Sequence, residues 1–173
     1  VVEVLKKYAP DVPIHVSTQA NVVSLHAANF WHKNGAKRVI MAREANKEQI
    51  RYIMENKPKD LEVEMFGHGA ICFAYSGRCF LSDFLCGRSA NLGDCAQSCR
   101  WSYNLYAEEK NNPGQLMPLE SDENGTSIFS SKDLCLIKEI PEIIDMGVDS
   151  LKIEGRLKTE YYVASVVNAY RTA

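Results

Sequence analysis

Six cysteines, Cys72, Cys79, Cys86, Cys95, Cys99 and Cys135, fall within 64 consecutive residues, and none stands elsewhere in the 173-residue chain. Thiols gathered this way can form disulfides, hold a structural zinc ion, ligate an iron-sulfur cluster, or serve as small core residues. Disulfides require an oxidising compartment, and a chain this rich in branched aliphatics has a core that needs no staples. Zinc knuckles set their cysteines two to four residues apart. The gaps here hold six, six, eight, three and 35 residues, so only Cys95 and Cys99 conform. A 4Fe-4S cluster takes four thiolates, tolerates wide spacing when a loop folds over a rigid face, and suits Gly-rich apolar surroundings such as "GAICFAYSGRC". On the residues alone all of these readings stay open.

Thiols that act together need a frame to hold them. Short apolar runs at residues 13–17 ("PIHVS"), 38–42 ("RVIMA") and 61–66 ("LEVEMF") read as strands, with helical patterns at 22–32 and 46–55 between them. A fourth unit has a helix starting near Leu136, a strand at 150–154 ("SLKIE") and an amphipathic helix at 159–170. "NGAKRVIMARE" and "MGVDSLKIEGR" repeat one plan: a Gly ends a helix, an apolar strand follows, and charged residues sit at its end. Repeated units of this size predict parallel βαβ structure, as a (β/α) barrel or a doubly wound sheet. Four units cannot close an eight-stranded barrel, so the other half would lie upstream in a longer protein, or a second chain would complete it, or the sheet would stay open.

The regular spacing breaks after residue 69. Residues 1–69 and 136–173 read as one α/β domain, and 70–135 as a Cys-rich, partly β insertion. Within the insertion, strands are predicted at 101–107, 116–119 and 126–130, joined by the turns "NNPG" and "DENG". Asn124-Gly125-Thr126 matches a glycosylation acceptor, but Asn-Gly is the signature of a tight turn.

An apolar share of 46% and a charged share of 24% are those of a globular domain, and no apolar run approaches the ~20 residues of a bilayer span. The first residues lack the pattern of a signal peptide, so a cytoplasmic protein is expected, and an opening inside an element without Met suggests a fragment. A net charge of −2 advertises no general affinity for nucleic acid. Arg78, Arg88, Arg100 and Lys132, with Trp101 and Tyr103, form a local set that suits an unstacked base, or else a set of solvated cations. No His-Glu-x-x-His helix or Gly-x-Ser-x-Gly elbow is present.

"EMFGHGAICFAYSGRCFLS" resembles the signature of the collagenase-like peptidase family of unassigned catalytic type. The likeness continues through "GRSANLGDCAQSCRW", "FSSKDLCLI", "GVDSLKIEGRLKTEYYVA", "IHVSTQANVVS" and "AKRVIMARE", over essentially the whole chain. The resemblance implies strands five to eight of a TIM-like (β/α)8 barrel. It also implies a 4Fe-4S cluster on Cys72, Cys79, Cys135 and Cys95, with Cys99 as the alternative to Cys95. Cys86 departs from the family pattern and is read as a packed thiol. Activities in the family include hydroxylation of tRNA wobble uridine with prephenate as co-substrate and modification of ribosomal RNA, beside the peptidase activity of its name.

Barrel chemistry gathers at the C-terminal strand ends. Those ends carry Ser17, Thr18 and Gln19, then Arg43 and Glu44, then His68, then Glu154 and Arg156. Arg43 and Arg156 suit a small anionic co-substrate, or else form structural ion pairs with neighbouring carboxylates. Glu44, His68 and Glu154 are the candidate acid-base groups, and Arg88 and Arg100 the candidate RNA contacts. Half a barrel exposes strand edges, so self-association or pairing with the missing half is expected.

Overall fold

A computed structural model of the chain describes residues 1–118 and 132–173. Its elements run α1 (Val2–Tyr8), β1 (Ile14–Val16), α2 (Leu25–Lys33), β2 (Ala36–Ile40), α3 (Lys47–Asn56), β3 (Glu62–Gly69), α4 (Leu81–Cys86), β4 (Tyr106–Glu108), β5 (Leu116–Pro118), β6 (Leu134–Cys135), α5 (Ile140–Asp145), β7 (Ser150–Glu154) and α6 (Glu160–Thr172). Two compact units result. Val1–Cys79 with Lys132–Ala173 forms one, and Phe80–Ser131 the other. The first unit therefore takes in the loop 70–79 and residues 132–135, which the sequence reading assigns to the insertion.

Side-chain caps fix the helix starts. Ser24 Oγ accepts from Ala27 N at the head of α2, Thr159 Oγ1 accepts from Tyr162 N at α6, and Asn46 and Gln49 form a reciprocal capping box on α3. Helix α2 begins at Leu25 rather than residue 22. Val22 instead bridges in parallel to Met41, and its carbonyl accepts from Ala42 N at 3.0 Å.

In the first unit, β1, β2, β3 and β7 are parallel neighbours in that order, as the strand-helix alternation predicts. The short β6 is antiparallel to β3, pairing with His68 and Gly69 while β7 pairs with the same two residues. Both edges of β3 are thus filled, by β7 on one side and by β2 and then β6 on the other.

Register separates the two faces of this sheet. Val16, Val39, Val63 and Met65 form one cluster with Ala28 of α2, Ile50 and Ile53 of α3 and Ile143 of α5, with Leu151 packed against it. Burying aliphatic side chains of this size stabilises the unit by about 1.5–3 kcal/mol each. The opposite face carries Arg38, Glu64, Ser150 and Lys152, with no helix of that cluster over it. Arg38 Nη1 lies 3.0 Å and Lys152 Nζ 3.4 Å from the Glu64 carboxylate, and Ser150 Oγ donates to it at 3.1 Å. Burial pushes the Glu64 carboxyl up, but Lys152, Ser150 and Arg38 outweigh it and hold the group below its ordinary value of 4.5.

The second unit has α4, turns at Ala90–Leu92 and Ser98–Arg100, and the β4–β5 hairpin, in which Tyr106 faces Pro118. Its first strand starts at Tyr106, five residues later than the pattern predicts, and the third predicted strand, 126–130, lies outside the described residues. Ser82 Oγ accepts from Ala96 N at 2.9 Å, and Tyr103 OH donates to Ser98 O at 2.6 Å.

Glu64→Gln is expected to lower stability by about 2 kcal/mol at neutral pH, between the effects of exposed and buried ion pairs. A depressed carboxyl contributes stability above its ordinary pKa and loses it as pH falls through the folded value. The gap between variant and wild type, measured by urea unfolding, should therefore narrow as pH falls below 4.5.

Candidate functional site at the strand ends

A β-bulge in β3 decides which side chains meet. Phe66 pairs with Lys152 and His68 with Ile153, so Gly67 is the extra residue and alternation is broken there. Phe66 keeps the charged face, and Lys152 Nζ lies 5.9 Å from its ring centroid. His68 shares the face of Ile153 and meets α6. Its ring is 5.5 Å from that of Tyr170, edge to face, and 6.0 Å from that of Tyr162. The sequence reading places His68 with the strand-end charges, whereas the bulge turns it to the opposite side of the strand.

On the charged face, the Arg43 guanidinium stacks over Phe66 at 3.9 Å and stands 3.9 Å from Glu154 Oε2. Side-chain exposure of 19% for Arg43 and 21% for Glu154 makes this a shielded pair. Glu154 Oε1 also accepts from Arg156 N at 3.1 Å, while the Arg156 side chain is exposed. Of the structural ion pairs that the sequence allows between these strand ends, the one between Arg43 and Glu154 forms. A recess of about 130 Å³ opens at Arg43, whose other lining residues, among them Met41, Met65, Phe66, Ile71 and Leu134, are all apolar.

Glu44 and Gln19 face the loop 70–79. Glu44 Oε1 accepts from Ser76 N at 2.6 Å, and the Ser17 hydroxyl donates to Gln19 Oε1. Phe66, Ser76 and Tyr170 are the contributors that sequence reasoning missed. For Phe66 and Tyr170 the signal is only an aromatic at the end of an element.

Tyr170 binds three partners. Its hydroxyl donates to Gly67 O at 2.7 Å, accepts from Leu136 N at 2.9 Å, and lies 3.3 Å from His68 Nδ1. One hydroxyl carries one hydrogen, and Gly67 O receives it, so the His68 contact requires Nδ1–H as donor. Burial pushes the Tyr170 hydroxyl up to about 12; the Leu136 N–H opposes that rise and the Cys135 thiol adds to it. Tyr170 thus remains a donor at neutral pH and ties α6, the bulge and β6 together.

No disulfide joins any of the six cysteines. Cys72, Cys79 and Cys135 belong to the first unit, and Cys86, Cys95 and Cys99 to the second. Cys135 pairs with His68 across β6 and β3, while Cys72 and Cys79 sit in the loop that leaves the end of β3. Cys95 Sγ accepts from Gln97 N at 3.2 Å. Cys86 is exposed rather than packed, and its thiol donates back to Ser82 O at 2.9 Å. Among the described residues, no three His, Cys, Asp or Glu side chains are grouped as one metal ion would require. The donor set available to a cluster is purely thiol, which suits iron-sulfur ligation.

Arg88 is paired with Asp94, Nη2 to Oδ1 at 2.9 Å, and Arg100 ends the turn Ser98–Arg100. Residues 80–131 hold three basic and seven acidic residues, so Arg88 and Arg100 stand in an acidic unit. Arg78 and Lys132 belong to the other unit. Among the described residues, no helix is long and apolar enough to cross a membrane.

The described sheet is a parallel βα sheet with a thiol-bearing loop at its strand ends, and comparison with known proteins gives the family. The chain matches Peptidase family U32 over residues 1–173 and belongs to it. It is 46% identical over 171 residues to tRNA hydroxylation protein P1 of Bacillus subtilis strain 168, covering 99% of this chain and 39% of that protein. It is 38% identical to tRNA hydroxylation protein P of Escherichia coli strain K12, covering 98% and 45%. Against the 23S rRNA 5-hydroxycytidine C2501 synthase of the same strain, identity is also 38%, over 97% of this chain and 24% of that protein. The chain thus spans less than half the length of these relatives. No solved structure matches it.

Tyr170→Phe removes the hydroxyl that bonds both Gly67 O and Leu136 N, two groups that stay joined to each other at 3.0 Å. It is expected to lower stability by about 0.5–1.5 kcal/mol in urea unfolding, with faster amide exchange at Leu136. Unchanged exchange there would remove Tyr170 from the role described.

Proposed function

We propose that this chain is part of an RNA hydroxylase, modifying a base in tRNA, with the wobble uridine and 5-hydroxyuridine as the specific position and product. The observation that carries this reading is 46% identity to a protein named for tRNA hydroxylation, over nearly the whole chain. A relative named for hydroxycytidine synthesis in ribosomal RNA supports the same chemistry on a second RNA. Peptidase activity, the other reading, has the family's name in its favour and no arrangement of side chains described above.

The sheet is proposed to be half of a TIM-like barrel. Helices packed on one face and a charged network on the other favour a barrel wall over a doubly wound sheet, which carries helices on both faces. Closure would take further strands on the outer edges of β1 and β7, from the rest of a longer protein or from a second copy.

The cofactor proposed is a 4Fe-4S cluster held by Cys72, Cys79 and Cys135, with Cys95, or Cys99 in its place, completing the set by family resemblance. Such a cluster, when bound, supplies one-electron transfer. The residues of this chain do the binding and orientation. Arg43, kept planar against Phe66 and charged beside Glu154, is suited to grip a carboxylate of a small anionic co-substrate, prephenate by resemblance. The apolar recess beside it would exclude water from the rest of that molecule. Arg156, exposed at the end of β7, is the second cationic contact proposed, and Glu154 and Glu44 stand beside them.

Nucleoside mass spectrometry of tRNA and ribosomal RNA tests the reading. Cells lacking the protein should lose 5-hydroxyuridine from tRNA, and the full-length protein should restore it. Arg43→Lys, which keeps charge but loses the planar stack, should restore about a tenth or less of it. Unaltered nucleosides in both RNAs would overturn the proposal.

A further inference from the structure

The loop 70–79 is held at both ends by contacts that a loop without a task would not need. At its start, Gly69 has φ +104, and a side chain there would collide with the Glu154 carbonyl oxygen. Past its middle, Ser76 is 5% exposed, and its N–H donates to Glu44 Oε1 at 2.6 Å, a short bond to a charged acceptor. Ser76 Oγ and Thr18 Oγ1 are 3.5 Å apart, and Thr18 is itself buried. Gly77 follows with φ +75 and lies so close to the Gln19 carbonyl that a side chain there would collide with it. The turn closes with Arg78 N donating to Tyr75 O at 3.0 Å. Elements after β1, after β2 and at the end of β7 therefore all grip one ten-residue loop, and its two cysteines stand on either side of the gripped Ser76-Gly77 pair.

We infer that Glu44, with Thr18 and Gly77, is a latch that fixes the loop 70–79 on the strand ends and thereby sets the positions of the Cys72 and Cys79 thiols. Glu44 is then a positioning residue. One carboxylate oxygen is engaged by the Ser76 amide and acts through that amide on the thiols four residues before it and three after. The value of such a latch rests on the thiol-ligand reading above. Ligands fixed before metal arrives lose less freedom on binding, and a latched loop keeps Cys72 and Cys79 at one spacing.

Alkylation of individual cysteines by iodoacetamide, followed by peptide mass spectrometry, tests the latch in full-length protein stripped of iron by chelation. Glu44→Ala and Gly77→Ala should each speed labelling of Cys72 and Cys79 about tenfold or more, with Cys86 unchanged. Glu44→Gln, which keeps an acceptor for the Ser76 N–H, should stay within about threefold of wild type. Thermal unfolding of each variant identifies those that keep the fold, and Thr18→Ala, expected to act in the same direction, replaces any that does not. Unchanged labelling of Cys72 and Cys79 in the folded variants, or an equal rise at Cys86, would overturn the latch. Iron content of untreated wild-type protein is read separately: an iron-free protein would sink the cluster reading while labelling still decides the latch.

Discussion

The extra residue Gly67 in β3 is the constraint on which the site depends. Without the bulge, Phe66 and His68 would share a face, and the imidazole would stand over the charged network beside Arg43. With it, Phe66 supports the Arg43 guanidinium while His68 turns to Tyr170 and α6. At the bulge Gly67 O accepts from both the Tyr170 hydroxyl and Leu136 N, and that hydroxyl in turn accepts from Leu136 N, the neighbour of Cys135. One inserted residue thus separates a packing side from a charged side and links the helix to a thiol-bearing strand.

Around that strand the physical division of labour is plain. Apolar burial against α2, α3 and α5 supplies most of the stability, because it removes the largest apolar area from water. The charged network on the other face contributes less, since partly buried ion pairs only modestly exceed the desolvation they suffer. Its consequence is shape and polarity: Glu64 holds Arg38 from β2 and Lys152 from β7 across one strand, leaving a face that no aliphatic helix could cover without stranding charges.

Strand and helix alternation was legible because periodicity records burial, and parallel pairing of β1, β2, β3 and β7 followed from it, whereas their order is seen only in the fold. The start of α2 was misjudged because Val22 is apolar and in phase with the helix, yet its carbonyl is taken by Ala42. His68 was misplaced because alternation carries no mark for a bulge except the glycine itself, which also suits a loop. Glu44 was legible as a strand-end acid, but its partner is a backbone amide, and backbone donors have no letter in a sequence. Cys86 looked packed because thiols are usually buried, and here it lies exposed on a six-residue helix. The pairing of Arg88 with Asp94, six residues on, has no mark in the sequence and is seen only in the fold.

The thiols at the end of β3 are proposed to serve one metal centre. Mössbauer spectroscopy of anaerobically purified, iron-enriched full-length protein tests this most directly. A spectrum of a 4Fe-4S cluster in wild type, lost in Cys72→Ala and Cys135→Ala but kept in Cys86→Ala, is the result expected. Iron-free wild-type protein, or a cluster that survives both Cys72→Ala and Cys135→Ala, would contradict it.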